Sequence, residues 1–173
     1  MNRSTPPEGE DLMEHLKSKY GEAAVARYGV PGNPLDVAGA KVGVTFNPAR
    51  RVINTLDCHR LMEYCKNTQP PAVAEACMSI MFRRYFQEAR DLNNREELLE
   101  VALELELDST AVGSLLDSDE YKEMIVAKDN KAKNGGVSGV PFFIIGEGAK
   151  AVKFSGAQEP DVIAELLENL SSS

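Results

Sequence analysis

The chain is poor in the residues that carry overt chemistry. Its 173 residues include three cysteines and two histidines. Cys58, Cys65 and Cys77 form no Cys-x-x-Cys, and the histidines join no metal-ligand spacing, so no metal site is expected. If Cys58 and Cys65 share a helix, they stand about 10.5 Å apart along its axis, beyond the separation of about 7 Å that a disulfide tolerates. Cys65 and Cys77 flank Pro70-Pro71 and could approach across a helix pair; all three are expected as reduced, small hydrophobic side chains. No apolar run approaches the roughly 18 residues of a membrane span, and the first residues lack the apolar core of a secretory signal, so the expected setting is cytoplasmic. Basic residues cluster only at Arg50-Arg51 and Arg83-Arg84, within a formal net charge of −8. That balance argues against nucleic acid and against an anionic membrane as partners.

What the chain does hold is apolar material in helical spacing; hydrophobic residues make up 43% of it, enough for a packed core. Leu12, Met13, Leu16 and Tyr20 predict a first helix ending at Gly21, and a short second helix follows over 23–28. After the breaker cluster Gly29 to Pro34, the alternation of Val42, Val44 and Phe46 suggests a short strand or extended arm. Asn54-Thr55 opens a further helix. Pro70-Pro71 separates it from a long helix expected over 72–89, and Asn94 with Glu97 reads as a capping box for the next. Two shorter amphipathic helices follow, and Glu96, Glu97, Glu100, Glu104 and Glu106 read as a solvated face.

Beyond Gly135 the pattern changes. Pro141 precedes a β-branched and aromatic run from Phe142 to Ile145; Gly146-Glu147-Gly148 then turns the chain into a second strand from Ala151 to Phe154. A helix with Pro160 in its first turn closes the chain. On residues alone, Gly139-Val140-Pro141-Phe142-Phe143 is either a cis-proline turn or a trans proline opening a strand. Gly135-Gly136 and Gly139 do not make a phosphate loop, since no Lys-Ser/Thr follows.

Five ordered motifs carry a resemblance: Pro7-Glu8-Gly9-Glu10-Asp11, the run Asn54-Thr55-Leu56-Asp57-Cys58-His59-Arg60-Leu61, Arg84-Tyr85-Phe86-Gln87, Gly139-Val140-Pro141-Phe142-Phe143, and Ser155-Gly156-Ala157-Gln158. Together they resemble the FrnE-type DsbA oxidoreductases, relatives of 2-hydroxychromene-2-carboxylate isomerases and kappa-class glutathione transferases. The resemblance implies an α/β, helix-dominated, incomplete thioredoxin-like fold. It would form a single DsbA-like domain over 1–173, with an inserted helical subdomain over 54–134 and a C-terminal ββα half over 135–170. It further implies that Val140 and Pro141 line a groove for a thiol or peptide substrate, with Val140 offering its backbone N–H and C=O. Asn54 and His59 could orient that substrate, although a helix cap and a half-buried histidine is the plainer reading of the two. Gly156 and Gln158 could contact a small anion such as a glutathione carboxylate.

Family members begin with a strand and a helix bearing Cys-x-x-Cys; this sequence starts at the segment that follows them. The resemblance therefore implies no catalytic residue here, thiol exchange that is impaired, and no resident cofactor, with glutathione left open as a ligand. It also implies an exposed edge on the first strand of the hairpin, able to receive a partner segment or a second copy as a homodimer. Three functions remain on this reading: an impaired oxidoreductase, a non-catalytic binding module, and a glutathione-dependent isomerase or transferase.

Overall fold

Short polar side chains start several of the helices. Asp11 accepts from the N–H groups of Met13 and Glu14 at 2.8 and 3.0 Å and opens α1, Leu12–Tyr20. Asn33 accepts from Leu35 and Asp36 at 2.9 and 3.2 Å and opens α3, Pro34–Ala40. Asn94 and Asp108 do the same for α6, Arg95–Glu104, and α7, Ser109–Leu116. Each such bond satisfies an otherwise orphaned donor and contributes about 1 kcal/mol. The remaining helices are α2, Glu22–Tyr28, α4, Leu56–Thr68, α5, Pro71–Phe82, α8, Lys122–Asn134, and α9, Pro160–Ser171. The strands among the described residues are β1, Phe142–Ile145, and β2, Val152–Ser155. This computed structural model describes residues 5–148 and 151–171. By its contacts the chain divides into two compact units, Met1–Ile125 and Val126–Ser173.

The fully buried core lies in the first unit. Leu61, Cys65, Cys77, Leu98, Val101 and Val112 are its least exposed large members, drawn from α4, α5, α6 and α7. Arg60 is buried among them, 4% exposed. Its guanidinium donates to the Glu120 carbonyl at 2.8 Å, the Ser118 carbonyl at 2.6 Å, the Leu115 carbonyl, and Asp57 Oδ1 at 2.8 Å. A cation thus caps the carbonyl end of α7, where the helix dipole favours it.

Two of the sequence motifs, those of Glu10 and Tyr85, meet at the segment Arg51-Val52. Glu10 and Val52 exchange two backbone hydrogen bonds of 2.8 Å. Gly9 makes this approach feasible: its φ is +73° and a Cβ there would stand 3.0 Å from the Val52 carbonyl oxygen. Arg51 donates to the carbonyls of Glu8 and Gly9, and the Tyr85 hydroxyl donates to the Arg51 carbonyl at 2.8 Å.

Several local expectations change. Residues 41–47 form turns and an extended arm with no strand, and helix α3 precedes them. The arm folds back onto α3 at Gly39, where a Cβ would stand 2.4 Å from the Val44 carbonyl oxygen and 2.9 Å from the Phe46 ring. The long helix expected over 72–89 is two pieces: α5 passes into a π-helical turn, Arg83–Gln87. Nor is the acidic face of α6 simply solvated. Glu97 receives Arg90 at 3.0 Å, and Glu104 receives Arg83 at 2.5 Å and Arg84 at 3.1 Å. Glu97 is therefore engaged by arginines where the sequence suggested a capping partner for Asn94. Although desolvation raises the Glu104 carboxyl, the bonds from Arg84 and Arg83 leave it below the usual range.

In the second unit β1 and β2 form an antiparallel hairpin in the register Phe142↔Ser155 to Ile145↔Val152. Phe143 and Phe154 stack across the strands with ring centroids 4.9 Å apart. Among the described residues of this unit none is fully buried.

Arg60→Met is expected to lower stability in urea unfolding by about 3 kcal/mol or more, because it strands buried carbonyls. Asp57→Ala is expected to cost under about 1 kcal/mol, since that carboxylate is 41% exposed. Equal losses would show that the ion pair, rather than the clasp on α7, is what matters.

Candidate functional site

The candidate site residues fall into two sets, one in each unit. In the first unit Asn54 Oδ1 accepts from the Leu56 N–H at 3.0 Å, a turn that launches α4 one residue ahead of its Thr55 cap. His59 lies on the first turn of α4, exposed where the plainer sequence reading had it half-buried. It borders an apolar cavity of about 160 Å³. Helical spacing brings Thr55, Cys58, His59 and Met62 to this cavity from α4. Met78, Met81 and Phe82 line it from α5, and the π-turn adds Tyr85 and Phe86. Phe86 meets Phe82 edge-on at 5.6 Å and Tyr85 at 4.8 Å between ring centroids. Phe82 is nevertheless 55% exposed. Methionines beside aromatic rings make an apolar lining that adapts to different side chains. Helical spacing in the sequence shows an apolar face here, but not that Tyr85 and Phe86 reach the cavity from a π-turn.

The thiols do not reach this cavity as reactive groups. Cys58 is buried and its Sγ–H faces the Leu92 carbonyl at 3.6 Å. Burial, with the Asp57 charge adding to it, pushes the Cys58 thiol up to about 12. Cys65 and Cys77 do approach each other between α4 and α5 as free, fully buried thiols. The hydrogen bond they share, together with burial, pushes Cys77 well above the ordinary thiol range. The same bond lowers Cys65, but its sulfur is fully buried and out of reach of a substrate, so burial rather than protonation keeps it inert.

In the second unit the Val140–Pro141 peptide bond is cis. Val140 stands 91% exposed at the head of β1. The Pro141 carbonyl accepts from the Gly156 N–H at 2.9 Å, which extends the ladder one pair beyond Phe142↔Ser155. The structure thus brings Pro141 and Gly156 together, but it also engages the Gly156 N–H, so that donor is not available to an anion. Gln158 is exposed in the loop before α9. The sheet has two strands, so one edge of β1 carries no strand partner among the described residues.

No group of three or more His, Cys, Asp or Glu side chains suited to a metal ion occurs among the described residues. No helix among them is long and apolar enough to cross a membrane. All three thiols are expected to resist Ellman's reagent in the folded protein and to react together in urea. For Cys58, whose thiol stays protonated well past neutrality, labelling of the folded chain should remain slow up to about pH 9. Rapid labelling of any native thiol would contradict the burial.

Comparison with known proteins agrees with this geometry. The DSBA-like thioredoxin domain family matches residues 22–168. Among solved structures, a probable DsbA oxidoreductase from Streptomyces coelicolor is 26% identical with a TM-score of 0.81, over 99% of this chain and 72% of that one. A candidate protein disulfide isomerase from Nitrosomonas europaea shares the fold at 17% identity and a TM-score of 0.63, over 83% of this chain and 76% of that one. No curated protein matches the sequence. The architecture is a helix-dominated α/β form of the DsbA-like thioredoxin fold, and the chain belongs to the DSBA-like thioredoxin domain family of oxidoreductases.

Proposed function

We propose that this chain holds the substrate of an FrnE-type thiol–disulfide oxidoreductase, while its own cysteines do not perform the exchange. The carrying observation is the edge of β1 that has no strand partner among the described residues, headed by the exposed Val140. An extended peptide can add to such an edge through main-chain hydrogen bonds, with alternate side chains seeking pockets. Val140 would supply its backbone N–H and C=O to that peptide beside Pro141. Within the first unit, taken by itself, Asn54 and His59 are proposed as orienting groups for a thiol or peptide beside the methionine-lined cavity. Cys58, Cys65 and Cys77 take no part, being buried.

The exposed Ile144, 60% accessible, favours a second copy as an alternative occupant of the same edge. Sedimentation at rising concentration would separate a homodimer from a peptide complex. Glutathione is the weaker alternative ligand: with the Gly156 N–H engaged, an anion would have only the region of Gln158.

Fluorescence anisotropy with a labelled extended peptide carrying a cysteine beside leucine tests the proposal. Saturable binding is expected, with Val140→Pro weakening it about fivefold or more through loss of a backbone donor. Val140→Ala is expected to bind as the parent does, because the backbone makes the contact. In an insulin-reduction assay the chain alone should add nothing to the dithiothreitol background. Turnover above background, or a peptide indifferent to Val140→Pro, would overturn the reading.

A further inference from the structure

A second and larger cavity lies in the first unit, away from His59. Its walls come from α1, from the reversal after α2, from the start of α3, and from the arm that ends at Arg50. Its volume is about 460 Å³, within the range of small-molecule sites. Leu12, Leu16, Val30, Leu35 and Phe46 make it largely apolar. The peptide-holding role proposed above makes no use of this space.

Arg50 is the cation in the wall. Its guanidinium lies 5.8 Å from the ring centroids of both Phe46 and Phe86. It makes one hydrogen bond, from Nη1 to the Asn47 carbonyl at 3.0 Å, leaving Nε and Nη2 without a protein acceptor among the described residues. Burial pulls its pKa down, opposed in part by the nearby Tyr85 and Asp36. A half-desolvated guanidinium with unengaged donors is best satisfied by a carboxylate, whose two oxygens match its fork.

Asp36 also lines the cavity and narrows the choice. Its Oδ2 is held by the Gly32 N–H at 3.0 Å and by Asn33 Nδ2 at 2.9 Å, so it is turned to the loop rather than paired with Arg50. It remains a negative charge in the wall, which opposes phosphates and dicarboxylates and tolerates a single negative charge close to Arg50.

We propose that this cavity binds an apolar monocarboxylate, a medium-chain fatty acid or an arylalkanoic acid of similar size, with the carboxylate on Arg50 and the hydrocarbon against Leu12, Leu16 and Phe46. The cavity is built from the first unit and the peptide edge from the second, so the two ligands use different residues.

Calorimetry on the full chain at neutral pH, with sodium octanoate and 1-octanol as probes, tests this. The two share a tail and differ in charge, so the parent protein alone separates recognition of the carboxylate from burial of the hydrocarbon. Octanoate is expected to bind at least about tenfold more tightly than 1-octanol. Arg50→Gln should bring the two within about twofold, by weakening octanoate while leaving the alcohol unchanged. Leu16→Phe, which fills the cavity without touching Arg50, should weaken both. Equal affinities in the parent, a preference that survives Arg50→Gln, binding indifferent to Leu16→Phe, or no octanoate heat at millimolar concentration would each overturn the assignment. Circular dichroism of the two variants confirms that lost binding is not lost folding.

Discussion

The buried guanidinium of Arg60 is the constraint on which much of the first unit depends. A cation removed from water is tolerable only with its donors satisfied, and here the partners are carbonyls at the end of α7 and just beyond, at Leu115, Ser118 and Glu120. Because Arg60 follows His59 directly, the same bonds fix α4 in rotation about its axis. With α4 so fixed, His59 and Met62 border the small cavity while Leu61 and Cys65 enter the core. A regular helix alone would not choose that orientation so firmly.

Chemistry and packing are kept apart in this chain. Sulfur, the element that the family uses for exchange, is placed where it behaves as hydrocarbon: three thiols, all buried. The groups with unused bonding capacity are instead backbone on the edge of β1 and the guanidinium of Arg50. Both favour recognition over reaction, the first toward extended chain and the second toward an anion.

Much of the architecture is legible in the sequence because local signals agree. Asp11, Asn94 and Asp108 stand before apolar residues in helical spacing, and Gly146-Glu147-Gly148 stands between Phe142-Phe143-Ile144-Ile145 and the alternating run Ala151 to Phe154. Helix α3 is hard to read because Gly39 and Pro34 weaken its propensity, although Asn33-Pro34 makes a sound cap and first turn. The π-turn is invisible because Arg83 to Gln87 read as ordinary helix continuation; the break depends on tertiary bonds to Glu104 and on the aromatic cluster around Phe86. The candidate site is half legible. Val140, Pro141, Asn54 and His59 come from motif resemblance, whereas Arg50, one of a basic pair, and Arg60, in the same motif as His59, carry no sequence sign of their part. Their importance lies in burial, which sequence spacing does not report.

The π-turn also governs how this stretch can change length. Such a turn holds one residue more than the α-turn it replaces. Deleting one residue between Arg83 and Gln87 would let α5 run on as a regular helix, re-aiming the side chains inside the former turn while the residues beyond it keep their register. Tyr85 would then leave the Arg51 carbonyl, and Phe86 would leave Phe46. A single-residue gap at this point, which looks minor in an alignment, would re-aim Tyr85 and Phe86 in the wall of the small cavity and remove the ring that Phe86 sets against Phe46 of the larger one.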